Sequence, residues 1–379
     1  MGSLRLYMGP SGRGWGLSGS PPPLLSLQVS ELGLEPDVLP VAADHPASRH
    51  RFLYANGTLH RMPTGLGWET PPLIPIPPHS VADKRAPPMR KGRRPDESIH
   101  SFTRRRFGAE VADLIADSLC RGVFAGDCRQ LSVRSCFPAL HRAERRRRSV
   151  IVGMATGGGG PIGPNDPNGP KGPNDPNDPN DPNGPVPAVL VRSRCERWSQ
   201  WALRGGLQTL PESIATFVRL RGADVRCNAE LQRLRLRSDR TWQLTLPDST
   251  ITADHVISAL PAAALARVLP PEFHPLAQEL THIPAVTVAV VNLQYRGVTL
   301  PVTVRAHPIE PVRLGMWGYG DVVPQPHTGS HGGVPIERIR HFIEQQQLPL
   351  SLIGASYGGV SVNDCIASAK AAVGRLMGG

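Results

Sequence analysis

The chain has 379 residues, a formal net charge of +11 and only 5% aromatic residues. That length leaves room for two domains and a sizeable core, but 41 prolines and 39 glycines, about a fifth of the chain, mark stretches that bury little. No run of about 18 apolar residues exists, which excludes a bilayer-spanning helix. Six cysteines with no C-x-x-C pair and no histidine at ligand spacing read as reduced, mostly core cysteines, with neither a metal site nor a disulfide framework expected.

Residues 1–23 carry no helical or strand periodicity, end in Pro21-Pro22-Pro23 and read as an unstructured leader. Residues 1–30 hold Arg5 and Arg13 and no acid, a weak likeness to a mitochondrial presequence. Leu24 to Leu34 reads as a short helix with Leu25, Val29 and Leu32 on one face. Asn56-Gly57 between two apolar stretches, Arg51-Phe-Leu-Tyr and Thr58 to Met62, signals a hairpin. Residues 67–94 are a Pro-rich, basic loop.

From Pro95-Asp96-Glu97-Ser98 a helix start is signalled by acids in the first turn, and Val111, Leu114, Ile115 and Leu119 line one side of a second helix. Between Lys84 and Arg148 stand 17 Lys+Arg against 7 Asp+Glu, nearly the whole positive excess. Three readings stay open for this charge: a solvated face, a nucleic-acid surface, or a segment drawn to an anionic membrane. No helix-turn-helix cue or aromatic-rich sheet accompanies it, so nucleic acid is disfavoured. Residues 155–187 hold a near-perfect Asn-Asp-Pro repeat behind a four-glycine run and read as a disordered insert.

Beyond the insert, Trp242 to Leu246 alternates as a strand, Ala253 to Pro261 reads as one buried strand and Val286 to Tyr295 as another. From Val304 to about Gly320 no periodicity is evident. The end of the chain is the most telling part. Leu348 to Ile353 reads as an apolar strand, Gly354 to Gly359 as a glycine turn, and Val362, Ile366, Ala369, Val373 and Leu376 follow at the spacing of one helix face. Glycines there allow close backbone approach, and the helix start offers free amides and a positive dipole end, suited to a cofactor that becomes anionic. Ordinary α/β packing is the plain alternative.

The wording Gly354-Ala-Ser-Tyr-Gly-Gly-Val-Ser-Val-Asn-Asp-Cys-Ile366 resembles the C-terminal flavin-binding motif of the protoporphyrinogen oxidase family, within the amine-oxidase-like flavoproteins. Further resemblances follow in the family's order: Ser30-Glu-Leu-Gly-Leu, Arg51-Phe-Leu-Tyr, Leu119-Cys-Arg-Gly122-Val-Phe-Ala-Gly126, Leu131 to Pro138, Gly205-Gly-Leu-Gln-Thr-Leu-Pro211 and Ala253-Asp-His-Val-Ile-Ser-Ala259. Together they cover more than half of the chain. The resemblance implies an α/β (α+β) fold with an FAD-binding Rossmann-like domain, a substrate domain and a helical membrane-associated domain. The expected segments are 24–66 in the substrate domain, 95–154 in the helical domain, 188–347 in a mixed FAD and substrate domain, and 348–379 as the flavin-binding strand, turn and helix.

The implied activity is oxidation of protoporphyrinogen IX to protoporphyrin IX in haem synthesis, with FAD as cofactor and O2 as acceptor. A homodimer and peripheral attachment to the mitochondrial inner membrane are implied with it. By the resemblance, Arg51 matches the arginine that holds a propionate and Gly122 a glycine whose backbone faces the macrocycle; the alternatives are a surface arginine and a helix C-cap. Leu231 matches the residue whose backbone contacts adenine, and Ala355, Val360, Ser361 and Val362 match the C-terminal flavin contacts. No catalytic acid, base or metal is expected.

One departure stands out. Gly9-Pro-Ser-Gly12-Arg-Gly14 has neither an apolar strand before it nor a helix behind it, so the Rossmann-like domain is expected to be incomplete, lacking its G-x-G-x-x-G cradle. A catalytically inactive porphyrin- or membrane-binding remnant is therefore the alternative to the enzyme.

Overall fold

The structure, a computed structural model, describes residues 17–18, 23–45, 51–55, 58–62, 97–147, 150, 186–292, 315–324, 334–357, 359 and 361–378. The expected leader up to residue 16, the 67–94 loop and the repeat through residue 185 lie outside the described residues. The chain divides into two units: residues 1–75, 170–229 and 290–317 form the first, and 76–169, 230–289 and 318–379 the second.

In the first unit, helix α1 (Pro23–Glu31) packs against helix α6 (Ala188–Cys195). Leu25 and Val29 of α1 and Val189 and Leu190 of α6 are buried. Leu32, expected on the α1 face, falls after the last helical turn, where Gly33 takes a φ of +67°. Strand β5 (Trp198–Leu203) lies between β1 (Leu17–Ser18) and β2 (Val38–Ala42) and runs antiparallel to both. Trp198, Trp201 and Leu203 of β5 are all buried. The Asn-Gly signal gives a two-residue hairpin: β3 (Arg51–Ala55) pairs with β4 (Thr58–Met62), with Ala55 opposite Thr58. Helix α7 (Thr209–Arg219) follows the Gly205-Gly206 turn, whose glycines have φ values of +81° and +94°.

The second unit holds two separate hydrophobic clusters. One is helical: α2 (Ile99–Phe107), a π-helical turn over Val111–Ala116 that runs into α3 (Asp117–Phe124), then α4 (Val133–Cys136) and α5 (Pro138–Arg147). Ser98 caps α2, its hydroxyl accepting the Ser101 amide at 3.1 Å. The buried face differs from the expected one. Ala112, Ala116, Cys120 and Phe124 turn inward, while Leu119 is 43% exposed and Val111, Leu114 and Ile115 are half-buried. The wider π turn rotates the side chains after it relative to a 3.6-residue pattern, and the small residues admit closer helix approach.

The other cluster centres on Trp242, Leu265, Leu276, Leu280, Ile339 and Leu350. It joins an antiparallel sheet of β6 (Arg233–Leu236), β7 (Trp242–Thr245) and β8 (Thr250–Ala253) to helices α8 (Ala262–Val268), α9 (His274–Thr281) and α10 (Val334–Gln345). The stretch expected as one buried strand is two: β8, then β9 (Val256–Ser258), in which Ile257 is 41% exposed. Asp254, between them, bends the chain from one sheet into another. Strand β10 (Ala285–Asn292) pairs with β11 (Gly315–Pro324), a strand without apolar alternation at its glycine-rich start. The chain ends in β12 (Leu350–Leu352) and α11 (Val362–Met377). Among the described residues, no helix is long and apolar enough to cross a membrane.

Candidate cofactor-binding site

β9 and β12 are parallel, with Val256 opposite Leu350 and Ser258 opposite Leu352. The Val256 amide donates to Pro349 O at 3.0 Å and the Ile353 amide to Ser258 O at 3.0 Å, so the pairing holds at both ends. Both strands then release their carboxyl ends into turns that lead to helices, β9 into α8 and β12 into α11. Such crevices beyond the carboxyl ends of parallel strands are where α/β sheets bind ligands.

The two turns are fastened together. Ser356, buried, accepts the Ala262 amide at 3.3 Å on its hydroxyl, and Gly354, at φ +93°, leaves 3.8 Å between an added Cβ and Ala259 O. The Gly354 amide in turn donates to the Ser368 hydroxyl at 3.0 Å, anchoring the turn to the second turn of α11. Ser361 starts that helix with a capping box. Its hydroxyl accepts the Asp364 amide at 3.0 Å, and the Asp364 carboxylate accepts the Ser361 amide at 3.2 Å. Gly359 has a φ of +142°, and a Cβ there would collide with the Asp364 carboxylate, so only glycine fits.

Among the described residues, the buried Tyr357 hydroxyl and Asn363 Oδ1, which flank this turn, have no partner. Burial pushes the Tyr357 phenol well above its usual pKa, which keeps it a neutral hydrogen-bonding group. Burial, with the nearby Asp364 charge, likewise raises the Cys365 thiol and keeps it protonated.

Of the residues singled out in the sequence, Leu231 packs on the same hydrophobic cluster that contains Tyr357, just before β6. Ala355 is half-buried in the turn, Ser361 is the N-cap and Val362, 40% exposed, opens α11. The Ser361 amide is taken by Asp364, whereas among the described residues the amides of Val362 and Asn363 have no acceptor. Val360 lies outside the described residues. Arg51 opens β3 in the first unit and Gly122 sits in α3. Sequence reasoning missed Ser356, Asp364 and Ser368, which hold the turn; the S-x-x-D spacing of the capping box was the readable signal for Asp364.

Comparison with known proteins fits this arrangement. Residues 14–317 match the family model for flavin containing amine oxidoreductase. The chain is 38% identical to protoporphyrinogen oxidase of Bos taurus, over 93% of the chain and 84% of that protein, and 37% identical to the Homo sapiens protein of the same name, over 100% and 91%. Among solved structures, a putative protoporphyrinogen oxidase from Exiguobacterium matches 96% of the chain and 90% of its own length, with a TM-score of 0.63 at 17% identity. A reduced UDP-galactopyranose mutase matches 96% and 84% with a TM-score of 0.54 at 11% identity. Both establish the fold, a flavin amine-oxidase-like arrangement of mixed helices and strands.

The turn fits a flavin on its own terms. Among the described residues it offers two helix-start amides and two buried polar atoms without partners, and a glycine where no side chain fits. The chain thus belongs to the flavin-containing amine oxidoreductase family, as a protoporphyrinogen oxidase-like member whose cofactor is FAD.

Proposed function

We propose that this chain is an oxygen-dependent protoporphyrinogen oxidase, acting on protoporphyrinogen IX in haem synthesis. The observation that carries the reading is the turn 353–361, which presents helix-start amides beyond the carboxyl ends of a parallel strand pair in a chain alike to protoporphyrinogen oxidases along its whole length. FAD held there would supply the two-electron oxidation, with O2 as the final acceptor and H2O2 as its product, that forming protoporphyrin IX requires three times over.

The chain's own residues bind and orient. The Val362 and Asn363 amides supply donors and the positive end of the α11 dipole to the anionic form of the cofactor. Ala355, Val360 and Ser361 would line the flavin through the turn, and Leu231 would meet the adenine end through its backbone. Arg51 holds a substrate propionate by a bidentate guanidinium pair. Gly122 leaves the macrocycle face free of a side chain. No side chain is assigned a proton-transfer role, because hydride transfer is governed by the placement of the two reactants.

The same reading has the protein act as a homodimer on an anionic membrane surface, the mitochondrial inner membrane, with the excess of Lys and Arg between 84 and 148 supplying the attraction. Cosedimentation with cardiolipin vesicles, lost as salt rises, tests the attachment; binding to RNA instead would overturn it.

The decisive test of activity is the visible absorbance of the purified 379-residue chain after incubation with FAD and desalting, followed by the appearance of protoporphyrin fluorescence. Retained flavin with product supports the enzyme. Colourless, inactive protein overturns it in favour of a non-catalytic porphyrin- or membrane-binding remnant.

A further inference from the structure

The helix start at the cofactor turn carries a side chain to which the proposed function gives no task. Asn363 is the second residue of α11, and among the described residues its buried Oδ1 has no partner. An amide oxygen held out of water without a donor lowers stability, so it is kept at a loss unless a donor arrives. The residue as a whole is only half-buried, and the last torsion of asparagine is broad, so a ligand at the helix start can draw the oxygen to it.

The side chain and the helix-start amides serve one place. Every Cα–Cβ bond of a helix tilts toward its N-terminus, so the Asn363 carboxamide leans back toward the start of α11. There the Val362 and Asn363 amides have no acceptor among the described residues, while the Ser361 amide and hydroxyl are both engaged by Asp364. What remains is two donors and one acceptor.

That set selects among the parts of FAD. A phosphate presents acceptors only, and the Asn363 oxygen and the Asp364 carboxylate would both oppose it. The pyrimidine edge of the flavin ring presents two carbonyl oxygens with a single N3–H between them, so donors and acceptor alike find partners. Adenine also offers a donor beside an acceptor, but it gains no charge. The pyrimidine end takes up negative charge on reduction, which suits the positive end of α11.

We propose that Asn363 is a positioning residue for the flavin, its Oδ1 accepting the N3–H while the amides at the start of α11 donate to the neighbouring ring carbonyl. The assignment rests on the reading of this turn as the cofactor site. Its consequence is an opposition between stability and binding: the oxygen is an uncompensated burial in the chain without cofactor, and it fixes which edge of the ring enters the turn when cofactor is bound.

The test compares FAD with 3-methyl-FAD, in which a methyl group replaces the N3 proton, by fluorescence titration of the full chain and two variants. Wild type should prefer FAD about tenfold, the worth of one hydrogen bond to a buried acceptor. Asn363→Ala should bind FAD more weakly and lose most of that preference, yet unfold without cofactor at a denaturant midpoint no lower than wild type, because the atom removed had no donor. Asn363→Asp, which restores an acceptor, should restore the preference and lower the flavin reduction potential, because a carboxylate opposes the charge that reduction brings. A wild type that binds both cofactors alike, or an Asn363→Ala variant that weakens both by the same factor, would overturn the assignment and leave the turn a cofactor site. Folded wild-type protein that takes up neither would overturn the reading of the turn and the assignment with it.

Discussion

The two hydrophobic clusters of the second unit are held by different means. In the cluster around Trp242, almost every contact is apolar or aromatic: Trp242 lies 5.9 Å from Phe273, which meets Phe342 edge-on at 6.4 Å. The helical cluster carries charge at its margin. Glu144 receives Arg105 and Arg106 together, Arg105 also reaches Glu97, and Arg106 is 2% exposed. The first is stabilised by area removed from water, the second in part by ions that must stay paired because one of them is buried. The comparison teaches where each region is brittle: volume loss damages the first, and loss of one charge damages the second.

The largest effect is expected from Trp242→Ala. The ring is 0% exposed and its Nε1 donates to Pro349 O at 3.0 Å, next to the start of the parallel pairing. Removing it costs about 3–5 kcal/mol, mainly from the cavity, since Pro349 O keeps the Val256 amide as its donor. Chemical denaturation should show a lower midpoint, and flavin retention should fall with it, since β12 begins one residue beyond Pro349. A variant that unfolds normally yet loses flavin would separate the cluster from the site.

Next in size is Glu144→Gln, at about 2–3 kcal/mol, because a neutral amide keeps a hydrogen bond but withdraws the charge that Arg105 and Arg106 share, leaving Arg105 with Glu97 as its carboxylate. The same contact gives a pH dependence. Burial opposes ionisation of Glu144, but hydrogen bonds from Arg105 and Arg106 prevail and hold its carboxyl below the usual 4.5. A carboxylate whose folded pKa is depressed contributes stability that is complete above the unfolded value and is lost as pH falls through the folded one. Acid should therefore loosen the helical cluster below about pH 4.5, and the variant should flatten that slope. An unchanged acid limb in Glu144→Gln would sink the assignment.

Much of this was legible in the sequence, though unevenly. Asn56-Gly57 signalled the hairpin in which Ala55 faces Thr58, because Asn-Gly is the dipeptide best suited to joining two adjacent antiparallel strands. The Leu348 to Met377 strand, turn and helix were readable because period and glycine placement agreed. The inward face of the Val111 to Phe124 stretch was not, since a π turn breaks the 3.6-residue period and alanines carry too little hydrophobicity to announce a core. Gly315–Pro324 escaped notice because its glycines hide the alternation that marks a strand, and its pairing with β10 comes from tertiary context. At the site, the glycines declared the turn, but the Ser356 and Ser368 contacts that fix it span 94 and 14 residues and leave no local pattern.

Gly359→Ala probes the site without touching either cluster. The added methyl would drive the Asp364 carboxylate away from the Ser361 amide, undoing half of the capping box and straining a φ of +142°. A stability loss of about 1–2 kcal/mol is expected, with a disproportionate fall in flavin retention. Equal losses of stability and flavin would mean that the turn only packs.

The smallest effect compares the same device in both regions. Ser98 caps α2 and Ser361 caps α11, each hydroxyl accepting the amide three residues on, at 3.1 and 3.0 Å. Alanine at either position removes one acceptor and costs about 1 kcal/mol. At Ser98 the helix start is tied to the 128–133 segment of the same helical cluster, through Ile99 N to Leu131 O and His100 N to Cys128 O, so the loss should be confined to stability of that cluster. At Ser361 the freed Asp364 amide adds a third unspent donor to those of Val362 and Asn363, while Asp364 keeps its carboxylate on the Ser361 amide. A flavin held by those amides should then respond to Ser361→Ala in its reduction potential as well as in its affinity, because an extra donor near the ring favours the anionic reduced form. Measured by dye equilibration, a shift in Ser361→Ala and none in Ser98→Ala would tie the α11 start to cofactor chemistry. Identical behaviour of the two variants would reduce Ser361 to an ordinary cap.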